Sequence, residues 1–242
     1  MRLLYFSHAD QFNDPFDCAP VCTLAKHIDD PEFVAELQAD EARMIAESGL
    51  SEAEVAALRK SEGVPVEKMA AAVTANIRSL LRDDTRVFCL SQRQDHPLLW
   101  SHYADSHRGI CVHFRCKYGS LFGLARAVEY KRERLPILIP LKYNISDDDI
   151  ADAMVRNKAD FWGYEHEFRI IAHNAADWGY TLDGRYCSFD GRLLVGITLG
   201  SKISAEHRAM VKGWAGGRAP PIPVYQAAES GDTYSIDIDR VT

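Results

Sequence analysis

Residues 164–171 of the chain read YEHEFRII. Spaced as a strand, successive side chains alternate between two faces. Tyr164, His166, Phe168 and Ile170 then share one face, mostly apolar and expected to be buried. Glu165, Glu167 and Arg169 share the other. Two carboxylates on one face repel, so solvent, basic neighbours or a ligand must offset the cost. Taken alone, such a face is a solvated surface with a Glu–Arg pair worth a few tenths of a kcal/mol. It does not stand alone, because Lys158, Asp160, Phe161 and Trp162 lead into it with charge and aromatic rings.

Working outward, the same period-two pattern recurs. A short strand is expected in LLYFS near the start, and further strands at 85–92, 109–115, 125–132, 166–173, 193–200, 222–228 and 234–239. Helical segments are expected at about 97–105, 147–160 and 204–215. From about 29 to 84 the pattern turns helical. Asp30-Pro31-Glu32 opens a helix, Ser51 with Glu54 resembles a capping box, and Met69, Val73, Ile77 and Leu80 form an apolar stripe. Strands with interspersed helices but no strict βαβ alternation imply an α+β fold: a mostly antiparallel sheet with flanking helices and an all-helical insertion. With no internal repeat or clear linker, one domain over 1–242 with the insertion at about 29–84 is the simplest division.

Composition narrows the function classes. The chain has 242 residues, 47% hydrophobic and 26% charged, which is ordinary for a globular protein with a sizeable core. Its formal net charge of −7 and its interleaved basic residues give no strong nucleic-acid signal. No apolar run is long enough to span a membrane, and the first residues are a poor match to a signal peptide. Cys18, Cys22, Cys89, Cys111, Cys116 and Cys187 form no C-x-x-C pair and read as reduced thiols of a cytoplasmic protein. Cys89 and Cys111 sit in apolar runs and are expected to be small core residues.

Two further stretches carry chemistry. FNDPFDC, 12–18, sets Asn13, Asp14 and Asp17 in a tight loop. Short carboxylates and an amide there could bind a hydroxyl or a cation, or simply bond the turn's own backbone. LLWSHYADSHRG, 98–109, groups Trp100, Ser101, His102, Tyr103 and His107. Such a cluster can stack a ring and exchange protons near neutral pH, or it can be a helix docked by Leu99, Trp100 and Tyr103. No metal site is expected, since His102 and His107 are five apart, a poor fit to one helical face, and no second motif supports them. Phosphate-binding glycine loops and the G-x-S-x-G elbow are absent.

FNDPFDC, CLSQRQDHPLLWSHYADSHRGICVHF, KADFWGYEHEFRII and ITLG, in this order, resemble the DUF2971 family of bacterial proteins of unknown function. The resemblance runs from Phe6 to about Gly200 and is loosest over the helical block. Members of that family usually open with a further L-Y-K-Y strand and helix before the segment equivalent to FSHADQFNDPFD, and this chain starts almost directly on LLYFS. More distantly, the layout is similar to ADP-ribosyltransferase folds, which order an early His or Arg, a central Ser or aromatic, and a late Glu. That likeness implies Ser101, His102 and Tyr103 in the middle and Glu167 late, with NAD as a substrate.

The resulting expectation is a nucleotide-type ligand, with transferase or glycohydrolase chemistry. Glu167, His102 and Tyr103 would be catalytic, with Glu167 stabilising an oxocarbenium-like ribose. Asn13, Asp14, Trp100, Ser101, Glu165 and Arg169 would bind the ligand, Trp100 or Tyr103 by stacking and Arg169 by meeting a phosphate or holding Glu165. The alternative is a non-catalytic binding or defence-associated module in which the same residues close an internal network. Substrate, acceptor, protein partner and oligomeric state are left open.

Overall fold

The computed structural model describes residues 2–19, 22–24, 82–83, 85–134, 137–139, 154–173 and 179–241, with isolated positions 31, 35, 39, 43, 75 and 79. The expected helical insertion at about 29–84 lies almost wholly outside the described residues.

Fifteen strands are described. They are β1 Leu3–Tyr5, β2 Ser7–His8, β3 Cys22–Leu24, β4 Thr85–Ser91, β5 Ile110–Phe114, β6 Arg126–Ala127, β7 Glu129–Lys131 and β8 Ile137–Ile139. β9 Asn157–Ala159, β10 Glu167–His173, β11 Leu182–Asp183, β12 Tyr186–Ser188, β13 Leu194–Leu199, β14 Val224–Glu229 and β15 Ile236–Arg240 follow. Two α-helices are described in full, α1 Pro97–Tyr103 and α2 Ala205–Gly216.

Two four-stranded sheets organise the molecule. The first has the order β2-β4-β10-β6 and is antiparallel throughout, with Glu167 opposite Ser91, Arg169 opposite Cys89 and Ile171 opposite Val87. The second has the order β15-β14-β13-β5. Its one parallel pair, β13 with β14, is joined through α2, as a parallel crossover requires. The α2 helix starts where Ser204 accepts the His207 N–H at 3.1 Å, an N-cap. The fold is thus α+β and mostly antiparallel, with parallel pairing also in the short β3–β8 and β7–β9 ribbons. Among the described residues no helix is long and apolar enough to cross a membrane.

Strand alternation places the cores. Ile170 and Ala172 of β10 face a cluster built on Phe6, Leu121 and Phe122, where Phe114 stacks on Phe122 with ring centroids 4.3 Å apart. Ile171 faces the other way, against Val87, Met154 and Val155. Helix α1 docks on the second sheet instead: Trp100 and Ala104 pack on Ala227 and Ile236. A cleft therefore opens between α1, held by the second sheet, and the face of the first sheet that carries Glu167 and Arg169.

Three expectations need correction here. Strand β10 begins at Glu167; Asp160–Glu165 is a 3-10 helix that ends on His166, whose φ of 44° lies in the left-handed region. The charged side of this stretch is buried along with Ile170 on the apolar side, with Glu165, Glu167 and Arg169 at 3%, 6% and 1% exposure, while His166 is exposed. Only 154–156 of the segment expected as a helix to residue 160 are helical among the described residues, because 157–159 form β9 and pair with β7. Cys89 is exposed, not a core residue, since its side chain shares the cleft face of the sheet.

Candidate functional site

The cleft has a volume of about 610 Å³. Its floor is the exposed side of β4, Val87 to Ser91; α1 forms one wall, and the 5–13 segment another. At the deep end lie Asp17, Lys158, Glu165, Glu167 and Arg169. These five side chains form one buried ion network.

Arg169 is its centre. Nε donates to Glu167 Oε1 at 2.7 Å and Nη2 to Glu167 Oε2 at 2.9 Å. Nη1 and Nη2 also donate to the two carboxylate oxygens of Asp17, at 2.8 and 2.6 Å. Nη1 donates further to the Val155 carbonyl. All five guanidinium N–H groups are thereby spent. Lys158 supplies the second cation: Nζ donates to Glu165 Oε2 at 2.6 Å and to Glu167 Oε2 at 3.0 Å, and lies 3.7 Å from Asp17 Oδ2. Its ammonium also sits over the Trp162 ring, 5.0 Å from the centroid, and Arg169 sits over Phe12 at the same separation.

These contacts explain how two neighbouring carboxylates are tolerated. Burial alone would raise the Glu167 carboxyl, but Arg169 and Lys158 outweigh it and hold it at about 2. Burial likewise opposes the Lys158 charge, and Glu167, Glu165 and Asp17 overcome it, holding the ammonium above its ordinary value. The backbone adds a further tie, since the Glu167 N–H donates to Tyr130 Oη at 2.8 Å.

Glu165 differs from its neighbours. One oxygen meets Lys158; the other, Oε1, accepts the Tyr103 hydroxyl at 2.6 Å. Tyr103 is 55% exposed, so this phenol links the buried network to the open cleft. Desolvation and the Glu165 carboxylate push its hydroxyl well above the usual tyrosine range, so it stays a donor. Cys89 opens onto the same floor. The atoms packed around it and the Glu167 carboxylate that its S–H meets push the thiol well above its ordinary value.

Of the residues singled out from sequence, Asn13, Trp100, His102, Tyr103, Glu165, Glu167 and Arg169 line this one cleft. Trp100 does so from within the wall: it is 3% exposed and its indole N–H donates to the Gln94 carbonyl at 2.7 Å. His102 stands edge-on to Tyr103 and Trp162. Ser101 and Asp14 are not among the lining residues. Asp14 is buried, and its Oδ1 accepts the Phe16 N–H at 2.9 Å, bonding the turn's own backbone. Arg169 holds Glu167 and Asp17 rather than Glu165, so that assigned role is corrected. Sequence reasoning gave no site role to Lys158, Cys89 or Gln94, and weighed Asp17 as a hydroxyl or cation ligand or a turn residue, not as a partner of Arg169. The burial of Glu165 and Glu167 would have demanded a lysine, but nothing in the spacing marks which one. Among the described residues no group of three or more His, Cys, Asp or Glu side chains is placed to hold a metal ion.

Residues 99–170 match a protein family described as a protein of unknown function, DUF2971. That segment carries Tyr103, Lys158, Glu165, Glu167 and Arg169; Asp17 lies outside it. No curated protein and no solved structure matched the chain.

Proposed function

We propose that the cleft is the site of a glycosyl-transfer enzyme acting on a nucleoside-type ligand, as a transferase or glycohydrolase, with Glu165 rather than Glu167 as the carboxylate that meets the substrate. The carrying observation is the Tyr103–Glu165–Lys158 chain, 2.6 Å at each link, joining the open cleft to a buried counter-ion network. In the step envisaged, the bond from C1′ of the sugar to the base breaks and its electron pair leaves with the base. The oxocarbenium-like carbon that develops is stabilised by Glu165, and water or another acceptor then attacks it and loses a proton. Lys158 acts as a positioning residue because it holds Glu165, and Glu167 and Arg169 hold Lys158 and Asp17 in turn. The ADP-ribosyltransferase-like reading, with NAD as substrate, is one form of this chemistry.

Base release from nicotinamide riboside and NAD tests it, followed by chromatography. Glu165→Gln keeps the shape and removes the charge, so turnover should fall about 10²–10³-fold. No turnover of either compound by the wild type would sink the enzymatic reading.

A second reading has its own support. Both oxygens of Glu167 and of Asp17 are already engaged inside the protein. That fits a non-catalytic binding module whose network shapes the cleft. It predicts a ligand that raises the melting temperature and is recovered unchanged.

A further inference from the structure

We infer that the cleft selects a cationic ligand lacking phosphate, an N-glycoside of a positively charged heteroaromatic base, and sets its positive charge against Glu165 and Tyr103. This rests on the glycosidic reading of the site and, within it, favours an unphosphorylated riboside over NAD.

Phosphate has little to meet here. Among the described residues, the lysine and arginine side chains lining the cleft are Arg93, Lys158 and Arg169. Arg169 has no N–H left to donate, and Lys158 is shared among three carboxylates. Arg93 is held by both oxygens of Asp95, at 2.7 and 3.2 Å. A phosphate would have to pull one of these cations off its partner and leave a carboxylate behind.

A cation meets the opposite balance. With every member ionised, Asp17, Glu165 and Glu167 outnumber Lys158 and Arg169 by one negative charge. That excess sits in a low-dielectric wall, where it is felt more strongly than in water. The Tyr103 hydroxyl points its proton at Glu165 and its oxygen also meets the Asn13 side chain, which leaves one phenol lone pair for the ligand. The exposed rings of Tyr103 and His102 offer faces for a cationic heterocycle. The Ser7 hydroxyl and the amide NH2 groups of Gln11 and Gln94, all neutral, are suited to sugar hydroxyls.

Three probes separate the charges on one framework: nicotinamide riboside, its neutral 1,4-dihydro form, and nicotinamide mononucleotide. Calorimetric titration of the full chain should show the cationic riboside binding at least about tenfold tighter than either of the others, the ratio that one charge-assisted contact supplies. Glu165→Gln should bring the riboside and its dihydro form to near equality. Tyr103→Phe keeps the ion network and should weaken only the cationic probe, which covers the case in which Glu165→Gln fails to fold. Equal or tighter binding of the mononucleotide or the dihydro form overturns the inference, even if base release shows that the glycosidic reading holds. No binding of any probe overturns both.

Discussion

Arg169 and Asp17 stand 152 positions apart in the chain and share a two-pronged ion pair inside the protein, Nη1 to Oδ1 at 2.8 Å and Nη2 to Oδ2 at 2.6 Å. The pair clamps the turn at 12–18 onto strand β10, and so fixes one wall of the cleft. Removing one partner leaves the other charged and buried. Asp17→Ala and Arg169→Met should each cost about 3–5 kcal/mol. The double variant should cost clearly less than the sum of the two. Urea unfolding of the set checks it; additive losses would mean that the two residues do not communicate.

Lys158 is the cation that keeps Glu165 and Glu167 compatible. Lys158→Met removes it and leaves two carboxylates facing each other with a single arginine. We expect a loss of about 3–5 kcal/mol at neutral pH. Much of it should return on mild acidification, when one carboxylate can take up a proton. A loss that does not depend on pH would point to lost packing instead.

Acid should unfold the protein in a window set by Glu167. Its folded value is depressed to about 2, so its contribution is fully present above the ordinary carboxylate range and is lost as pH falls toward 2. Lys158 has the opposite sign: its raised value gives a contribution complete below the ordinary lysine range and lost only at strongly alkaline pH. Glu167→Gln should flatten the stability slope between about pH 4.5 and 2. Melting temperatures of wild type and variant across that range give the answer.

Tyr103 should behave as an unusually reluctant acid despite its exposure. Absorbance at 295 nm, followed to high pH, should show Tyr103 ionising at higher pH in wild type than in the Glu165→Gln, Tyr103-intact protein, where desolvation alone keeps it above the ordinary range. In the latter the carboxylate that opposes phenolate is gone. Identical curves would place the Tyr103 hydroxyl away from Glu165 in solution.

Cys89 offers a chemical reporter of the cleft. Although it opens onto the cavity, its thiol is held protonated beside Glu167, so iodoacetamide should modify it slowly at pH 7. Glu167→Gln should speed that reaction. Rapid labelling of Cys89 in wild type, read by mass spectrometry, would contradict the arrangement.

Much of the fold was legible because strands announce themselves by period. TRVFCLSQ and LLVGITLG sit within a residue or so of β4 and β13, and Pro97 marks the start of α1. The 125–132 run was read as one strand but is two, β6 and β7, that pair with different partners. Periodicity reports which residues alternate and says nothing of which neighbour each segment meets.

The site was legible in part. FNDPFDC, the α1 cluster and EFR could be singled out by their mixture of charge and aromatic groups, and all three reach the cleft. Their roles could not be read. A Glu two residues from an Arg looks the same whether it is solvated or buried. The sequence by itself determined the strand register that puts Glu167, Arg169 and Ile171 on one face, since alternation is a local property of an extended backbone. Only the tertiary structure decided that this charged face is buried as well as the apolar face behind it. That choice depends on Asp17 and Lys158 arriving from distant segments to neutralise it, and burying charge is tolerable only when such partners are already in place.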